Sequence, residues 1–304
     1  MEAVVTVTDE KYIAGTQVLF HSFLKHHPNF KGDFVVIHDQ LPLRLQAELT
    51  KQFPVQFEQV SKDLQLKLIG LAVACPQFNN KLQRFWSVEL FRLQHYKNVL
   101  FLDSDIICRE NLEELIRLDE GNPIAACADL SFYRGQCRDK MSFELKSLAQ
   151  RGLANSFEKT FNAGVLWVNL KDNREEVYKD LLNLIDPKAF KSVSSGHTDQ
   201  YLLNTYFEHK VTWMDASYNY IVREAEFISK KVGISKEQAK LWHYIRNPKP
   251  WNFNRLLKNK LKGKENPLHV LEWQREYQDF LRLKKGAKSR FGDQIRMLIF
   301  RVLS

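Results

Sequence analysis

The 304-residue chain is poor in several of the features that mark whole classes of protein. It has four cysteines, Cys75, Cys108, Cys127 and Cys137, with no CxxC pair and no histidine at metal-ligand spacing, which excludes a disulfide framework and a thiolate zinc site. Reduced thiols, mostly in the core, are expected. Only 12 Gly and 9 Pro leave no room for collagen or low-complexity polymer. No apolar run approaches the roughly 18 residues of a spanning helix. The opening EAVVTVTDE lacks the basic region and apolar core of a secretory signal, so a cytoplasmic protein is expected. What the chain does have is 44% hydrophobic and 27% charged residues, the composition of a globular protein large enough to bury a substantial core.

The net charge of +9 is unevenly spread. Residues 1–240 carry 30 Lys+Arg against 31 Asp+Glu, whereas residues 241–304 carry 15 against 5. Within 282–304, seven basic residues face a single acid, Asp293. There Phe291, Ile295, Leu298 and Val302 recur at helical spacing, flanked by Lys288, Arg290, Arg296 and Arg301. Such a basic amphipathic helix suits an anionic headgroup layer, which would place the protein peripherally on the inner face of the plasma membrane. The same helix could instead pack on its own domain or on a second subunit with a solvated basic face. No nucleic-acid-reading motif accompanies the charge, so no nucleic-acid partner is expected.

Along the chain, apolar runs at 3–8, 34–38, 55–60, 98–102, 123–128 and 164–170 alternate with helical stripes at 13–26, 43–53, 82–93, 177–185 and 198–207. This alternation predicts an α/β fold with helices on both faces of a sheet. One domain extends to about residue 215; beyond it the periodicity weakens, and Asn247-Pro248-Lys249-Pro250-Trp251 interrupts any helix. No internal repeat is present.

The run Val99-Leu100-Phe101-Leu102 ends abruptly in Asp103-Ser104-Asp105. Ligand sites of open α/β sheets lie beyond the carboxyl ends of strands, which puts these two acids where chemistry is expected. Side by side they repel, and a divalent cation such as Mg²⁺ or Mn²⁺, which also holds substrate phosphates, relieves that repulsion. A solvated pair of loop acids is the plainer alternative for this motif taken alone.

Six segments in order, VVTVTDEKY, VLFLDSDIIC, AACADL, FNAGVLWVNL, HTDQYLLN and HYIRNPKPW, span roughly residues 3–251 and resemble glycosyltransferase family 8, the group of glycogenin and bacterial lipopolysaccharide glucosyl- and galactosyltransferases. The resemblance implies a GT-A type nucleotide-binding mixed sheet over residues 1–251, with 252–304 as a basic helical extension. It implies metal-dependent, retaining transfer of glucose or galactose from a UDP-sugar to a glycan or lipid-linked acceptor such as a lipopolysaccharide core.

Carried over residue by residue, the metal ligands would be Asp103, Asp105 and His243, a mixed oxygen and nitrogen set that suits Mn²⁺ better than strict all-oxygen Mg²⁺. Ser104 lies between the two acids on the donor side. Lys249 would meet the leaving diphosphate, where a compact positive charge stabilises charge as it develops. Thr8, Asp9 and Tyr12 would meet the uracil, by hydrogen bonding to its imide N–H and stacking on its face. Thr8 and Asp9 equally suit capping of the following helix. Asp129, Asn162, Asp199 and Gln200 would face the sugar hydroxyls and the reacting carbon, although Asp199 also suits the N-terminal turn of its helix.

Two departures stand out. Arg246 occupies a position that is usually Gly in the family, and the basic residue that many relatives carry ahead of the metal strand falls near Trp86 or Ser87, with Arg84 close by but out of register. Two other readings compete with transfer. One is a haloacid dehalogenase-type phosphatase, whose motif normally lies near the N-terminus and continues differently from Ile107. The other is a GT-A-like domain that only docks on membranes or partners.

Overall fold

The computed structural model describes residues 1–116, 121–133, 160–169, 174–191, 193, 196–263 and 269–285. Cys137 and the expected helix carrying Phe291, Ile295, Leu298 and Val302 lie outside the described residues.

Seven strands form the main sheet: β1 (Ala3–Val7), β2 (Asp33–His38), β3 (Val55–Gln59), β4 (Asn98–Leu102), β6 (Ile124–Ala128), β7 (Phe161–Asn169) and β8 (Val211–Met214), in the order β3-β2-β1-β4-β7-β6-β8. β5 (Ile106–Cys108), β9 (Tyr220–Ile221) and β10 (Leu241–His243) make a small second sheet, ordered β5-β10-β9. The inner strands β1, β2, β4 and β6 are apolar at nearly every position, as strands covered on both faces must be, whereas the edge strand β3 carries Gln56, Glu58 and Gln59. Their two-residue period sorts the core. Ala3, Val5, Val35, Ile37, Val99 and Phe101 enter one buried cluster, and Val4, Phe34, Val36, Leu100 and Leu102 enter the other. The first cluster is covered by the helix Arg174–Leu184 and the 3₁₀ segment Leu82–Arg92; the second by α1 (Ile13–His26) and α2 (Leu43–Thr50). Each fully buried Leu, Phe or Val contributes about 1.5–3 kcal/mol, so the two layers account for most of the drive to fold.

Strand polarity positions the site. β1, β2, β3 and β4 are mutually parallel, and β7 runs antiparallel to β4 and to β6. The reversal brings the start of β7 to the edge where β1, β4 and β6 end. Leu102 pairs with Val165 and Ala128 with Phe161, so Asp103, Gly164, Asn162 and Asp129 are neighbours although far apart in the chain. In the second sheet His243 pairs antiparallel with Ile106 and parallel with Ile221, which places its ring over the turn after β4.

The stripe at 82–93 winds as a 3₁₀ helix rather than an α-helix. Trp86, Ser87, Val88 and Phe91 are modest helix formers, and the segment is held by tertiary contacts, with Phe85, Val88, Leu90 and Phe91 buried. Beyond the proline-rich segment, the helix His269–Lys285 packs on α1. Its Trp273 is fully buried against Trp251, Phe280 stacks on Phe53, and the buried Glu276 carboxylate receives Lys25 at 3.1 Å, Arg109 at 3.6 Å and His21 at 3.7 Å. Cys75, Cys108 and Cys127 are free and buried, as the sequence predicts. No helix among the described residues is long and apolar enough to cross a membrane.

Candidate functional site

β4 delivers Asp103 to the sheet edge, where its N–H donates to the Gly164 carbonyl at 2.8 Å and its carbonyl accepts from Ile106 N–H at 3.1 Å. That tight turn carries Asp105 inward. Asp103 keeps 43% of its side chain exposed, while Asp105 is buried. His243, at the end of β10, points Nε2 between them, 3.2 Å from Asp105 Oδ1 and 3.5 Å from Asp103 Oδ2. Among the described residues these three alone form a group able to hold a metal ion, each offering one ligand atom with all such atoms within 4.8 Å of one another.

The cradle around them is built for ligands rather than for packing. A Cβ on Gly164 would lie 2.7 Å from Asp103 Oδ2 and closer still to His243 Cε1, so only glycine lets both side chains approach β7. Two carboxylates and an imidazole suit a hard to borderline divalent ion, and the residues present fit one.

The charges respond to one another. Burial alone would push Asp105 up, but Lys249 and His243 hold it well below the usual carboxylate range. Burial works against charging His243, yet Asp105 and Asp103 outweigh it and hold the imidazole up at about 9. Lys249 forms an ion pair with Asp105 Oδ2, and its Nζ also donates to the Tyr244 carbonyl at 3.0 Å. It too is raised: burial alone would lower it, but Asp105, Tyr12 and Asp103 together outweigh that. The predicted metal ligands and Lys249 are therefore one cluster.

The predicted sugar-facing residues form a second cluster beside it. Asn162 Nδ2 donates to Gln200 Oε1 at 3.2 Å, and Gln200 Nε2 donates to Asp129 Oδ2 at 3.2 Å. Asp199 opens the helix Asp199–Tyr206; its carboxylate accepts from Ser87 Oγ and Thr198 Oγ1, both at 2.9 Å. Burial, then the nearby Asp103 charge, push it up to about 6 against those two hydrogen bonds. Asp129, Asn162, His197, Asn219, Ile221 and Arg246 are among the residues lining an adjoining cavity of about 290 Å³.

The residues expected at the nucleotide end are arranged differently from one another. Thr8 is buried, with its hydroxyl accepting from Thr16 Oγ1 at 2.7 Å, so it joins β1 to α1. Asp9 Oδ1 accepts from Lys11 N–H at 2.8 Å and Tyr12 N–H at 3.0 Å, the turn-capping geometry that its residue type favours. Tyr12 remains at the site, its ring 5.8 Å from Lys249 Nζ and edge-on to Trp251 at 5.3 Å between centroids. Ser104 is buried, and its backbone faces α1 at Gly15, where a Cβ would also lie 2.8 Å from the Trp251 ring. Trp251 in turn donates from Nε1 to the Lys11 carbonyl at 2.7 Å, which ties the HYIRNPKPW segment to the start of α1.

Arg84 donates to the Gly196 carbonyl at 3.2 Å and its charge bears on both Tyr12 and Asp199, so it belongs to the site's periphery. Arg246 has φ of 70°, the left-handed region that favours glycine; the loop keeps a glycine's conformation with an arginine in it. Its guanidinium lies 3.8 Å from Glu224.

Three residues of the site escape sequence reasoning. Ser87 bonds Asp199, as above. Asn204, the last residue of HTDQYLLN, bonds Phe161 N–H and C=O and so locks its helix to β7. Asn219 Oδ1 accepts from His243 Nδ1 across 2.7 Å. Only Asn204 stood within a recognisable segment; Ser87 and Asn219 meet their partners across 112 and 24 residues, with no local pattern to announce them.

Comparison with known proteins gives the fold and the family. The galactosyltransferase LgtC, solved in complex with donor and acceptor sugar analogs, superposes with a TM-score of 0.66 at 20% identity, covering 90% of this chain and 99% of that one. The glycosyltransferase GlyE of Streptococcus pneumoniae superposes at 0.61 and 19% identity, over 91% and 61%. These likenesses establish the fold, a GT-A type mixed sheet with helices on both faces. In sequence, the chain is 24% identical over 255 residues to glycosyltransferase GlyA of S. pneumoniae, covering 82% of this chain and 32% of that protein. It is 28% identical over 262 residues to a lipopolysaccharide 1,2-glucosyltransferase of Escherichia coli, covering 80% and 71%. The chain thus spans about a third of the first relative and under three quarters of the second. Residues 3–255 match the model of glycosyl transferase family 8, and this match, over most of the chain and including every expected metal-binding and sugar-facing position, makes the protein a member of that family.

Proposed function

We propose that the protein is a metal-dependent, retaining hexosyltransferase that moves glucose or galactose from a UDP-sugar to a glycan or lipid-linked saccharide such as a lipopolysaccharide core. The single observation that carries this reading is the Asp103–Asp105–His243 group set directly beside the Asn162–Gln200–Asp129 chain. Relatives named as lipopolysaccharide 1,2-glucosyltransferase and lipopolysaccharide 1,3-galactosyltransferase support the donor and acceptor classes.

A divalent ion, Mn²⁺ in preference to Mg²⁺ for this mixed donor set, would be held by Asp103, Asp105 and His243 and would supply positive charge against the donor diphosphate. Lys249 adds a buried ammonium in the same cluster, placed to stabilise charge on the departing diphosphate. Tyr12 offers an aromatic face at the nucleotide side. Asp129, Asn162, Asp199 and Gln200 offer hydrogen-bonding oxygens and amides to the sugar hydroxyls, and an oxygen among them is suited to stabilise positive charge at the anomeric carbon. The bond from that carbon to the diphosphate breaks, an acceptor hydroxyl oxygen takes its place, and the hydroxyl proton leaves on the departing diphosphate. In this reading Arg246 and the cavity at Ile221 face the acceptor side.

We also propose residues 252–304 as a basic extension and its 282–304 stretch as one that meets an anionic membrane surface, from its charge and the helical spacing of Phe291, Ile295, Leu298 and Val302 in the sequence. Deleting 286–304 should reduce co-sedimentation with anionic vesicles at low salt; unchanged, salt-insensitive partitioning would defeat that assignment. The test of the activity is release of UDP from UDP-glucose or UDP-galactose in the presence and absence of Mn²⁺, with Asp103→Asn and Asp105→Asn as controls.

A further inference from the structure

Five side chains form one unbroken hydrogen-bonded line from the metal ligand to the sugar-facing acid: His243, Asn219, Asn162, Gln200 and Asp129. Side-chain amides are ambiguous taken singly, because oxygen and nitrogen can exchange places. This line is not ambiguous, because it is pinned at its middle and at its Asp129 end by groups with no choice. At the middle the Gly164 backbone N–H, which can only donate, points at Asn162 Oδ1 at 3.1 Å. Asn162 Oδ1 is therefore an acceptor, and the Asn219 atom 2.8 Å from it must be the Nδ2 amide. At the far end Asp129 accepts from Ser131 N–H at 2.9 Å and Ser131 Oγ at 2.6 Å, and its second oxygen must accept from Gln200 Nε2. That turns Gln200 Oε1 toward Asn162 Nδ2. The two anchors require the same direction along the line.

The consequence falls on His243. With its Nδ2 committed to Asn162, Asn219 can present only Oδ1 to the imidazole, across 2.7 Å. His243 Nδ1 must then carry the hydrogen, and a neutral ring so held presents its lone pair at Nε2, the nitrogen aimed at Asp103 and Asp105. Asn219 is 5% exposed and sits in the 3₁₀ segment Ala216–Asn219, immediately before β9, whose pairing with β10 fixes the distance to His243.

We propose that Asn219 is a positioning residue: it orients His243 as an Nε2 ligand and, through Asn162 and Gln200, couples the metal group to the sugar-facing carboxylate of Asp129. The inference rests on the metal-site reading given under Proposed function. It explains why an amide is required at 219. Aspartate would still accept from Nδ1–H, but would set a carboxylate against Asn162 Oδ1, which cannot turn away without abandoning Gly164 N–H. Alanine would serve neither neighbour.

The test is titration of Mn²⁺ into the full chain without donor, following free Mn²⁺ by electron paramagnetic resonance, for wild type, Asn219→Ala, Asn219→Asp and His243→Ala. Thermal melts of the metal-free proteins run in parallel. Losing an outer partner of a ligating histidine typically costs about 10–100-fold in metal affinity, and Asn219→Ala should show a loss of that size. Asn219→Asp should restore Mn²⁺ affinity while leaving UDP-hexose turnover depressed, a split that a packing role would not produce. Wild-type Mn²⁺ affinity in Asn219→Ala, or equal losses in both Asn219 variants, would overturn the proposal. If Asn219→Ala fails to melt cooperatively, Asn219→Asp decides: retained affinity supports the role and lost affinity refutes it. A wild-type protein whose Mn²⁺ binding is unchanged by His243→Ala would instead refute the metal-site reading, and the two failures are thereby told apart.

Discussion

Gly164→Ala adds a single methyl group at the centre of the ligand cradle. The new Cβ would lie 2.7 Å from Asp103 Oδ2 and nearer to His243 Cε1, whereas carbon contacts settle at about 3.5–4.0 Å. Ligand side chains, β7, or both must therefore yield by about 1 Å. Asp103 cannot retreat along β4, because its N–H is bonded to the Gly164 carbonyl, and His243 is held by β5, β9 and Asn219. Metal sites tolerate displacements of only about 0.2 Å in their ligand distances, so a shift of this size should cost at least tenfold in Mn²⁺ affinity. Overpacking should also cost the metal-free protein about 1–3 kcal/mol, which leaves a folded population to measure. The assay is Mn²⁺ titration followed by electron paramagnetic resonance, with a thermal melt of each protein. Wild-type Mn²⁺ affinity in a folded Gly164→Ala protein would refute the argument that this glycine is there to let two ligands converge.

Other outcomes follow from the same geometry. In the metal-free protein His243 is held at about 9, above its unfolded value of roughly 6.5, so its charged form contributes stability that is complete below about 6.5 and lost as pH rises through about 9. The metal-free melting temperature should fall over that window while Mn²⁺ affinity rises, because binding needs the neutral ring; flat profiles across pH 6.5 to 9 would contradict it. Lys249→Ala should lower kcat for UDP-hexose more than it raises KM, and a change in KM alone would remove Lys249 from the leaving-group role. Arg246→Gly should relieve a left-handed backbone and raise stability by about 1 kcal/mol, read as a higher melting temperature, and a lower one would show that the arginine side chain outweighs its strain.

The parts of this site that were legible in the sequence are those encoded by neighbours along the chain. An apolar strand broken by Asp103-Ser104-Asp105 announces a strand end with paired acids, and the alternation of runs and stripes announces the covered sheet. His243 and Asn162 entered only through resemblance, because strand pairing brings them to their partners, and so did Gln200, which reaches Asn162 from the first turn of the helix Asp199–Tyr206. β7 runs opposite to β4 and β6, and that reversal, invisible to periodicity, is what puts Asn162 and Gly164 beside Asp103. Winding was also hidden: the stripe at 82–93 reads as helical, yet its 3₁₀ turn is what aims Ser87 at Asp199. Thr8 illustrates the limit of residue type, since its hydroxyl turns into α1 toward Thr16. Asn219 had no signal at all, because one asparagine looks like any other until its two hydrogen-bond partners are seen.

Binding of a divalent ion by Asp103, Asp105 and His243, in the service of transfer from a UDP-sugar, is what the proposed function rests on. Its most direct measurement is UDP release from UDP-glucose and UDP-galactose, with a saccharide acceptor, in Mn²⁺ and in excess chelator, for wild type and Asp105→Asn. Release should require Mn²⁺, disappear in the chelator and be lost in Asp105→Asn. Full turnover in excess chelator, or turnover by Asp105→Asn equal to wild type, would contradict it.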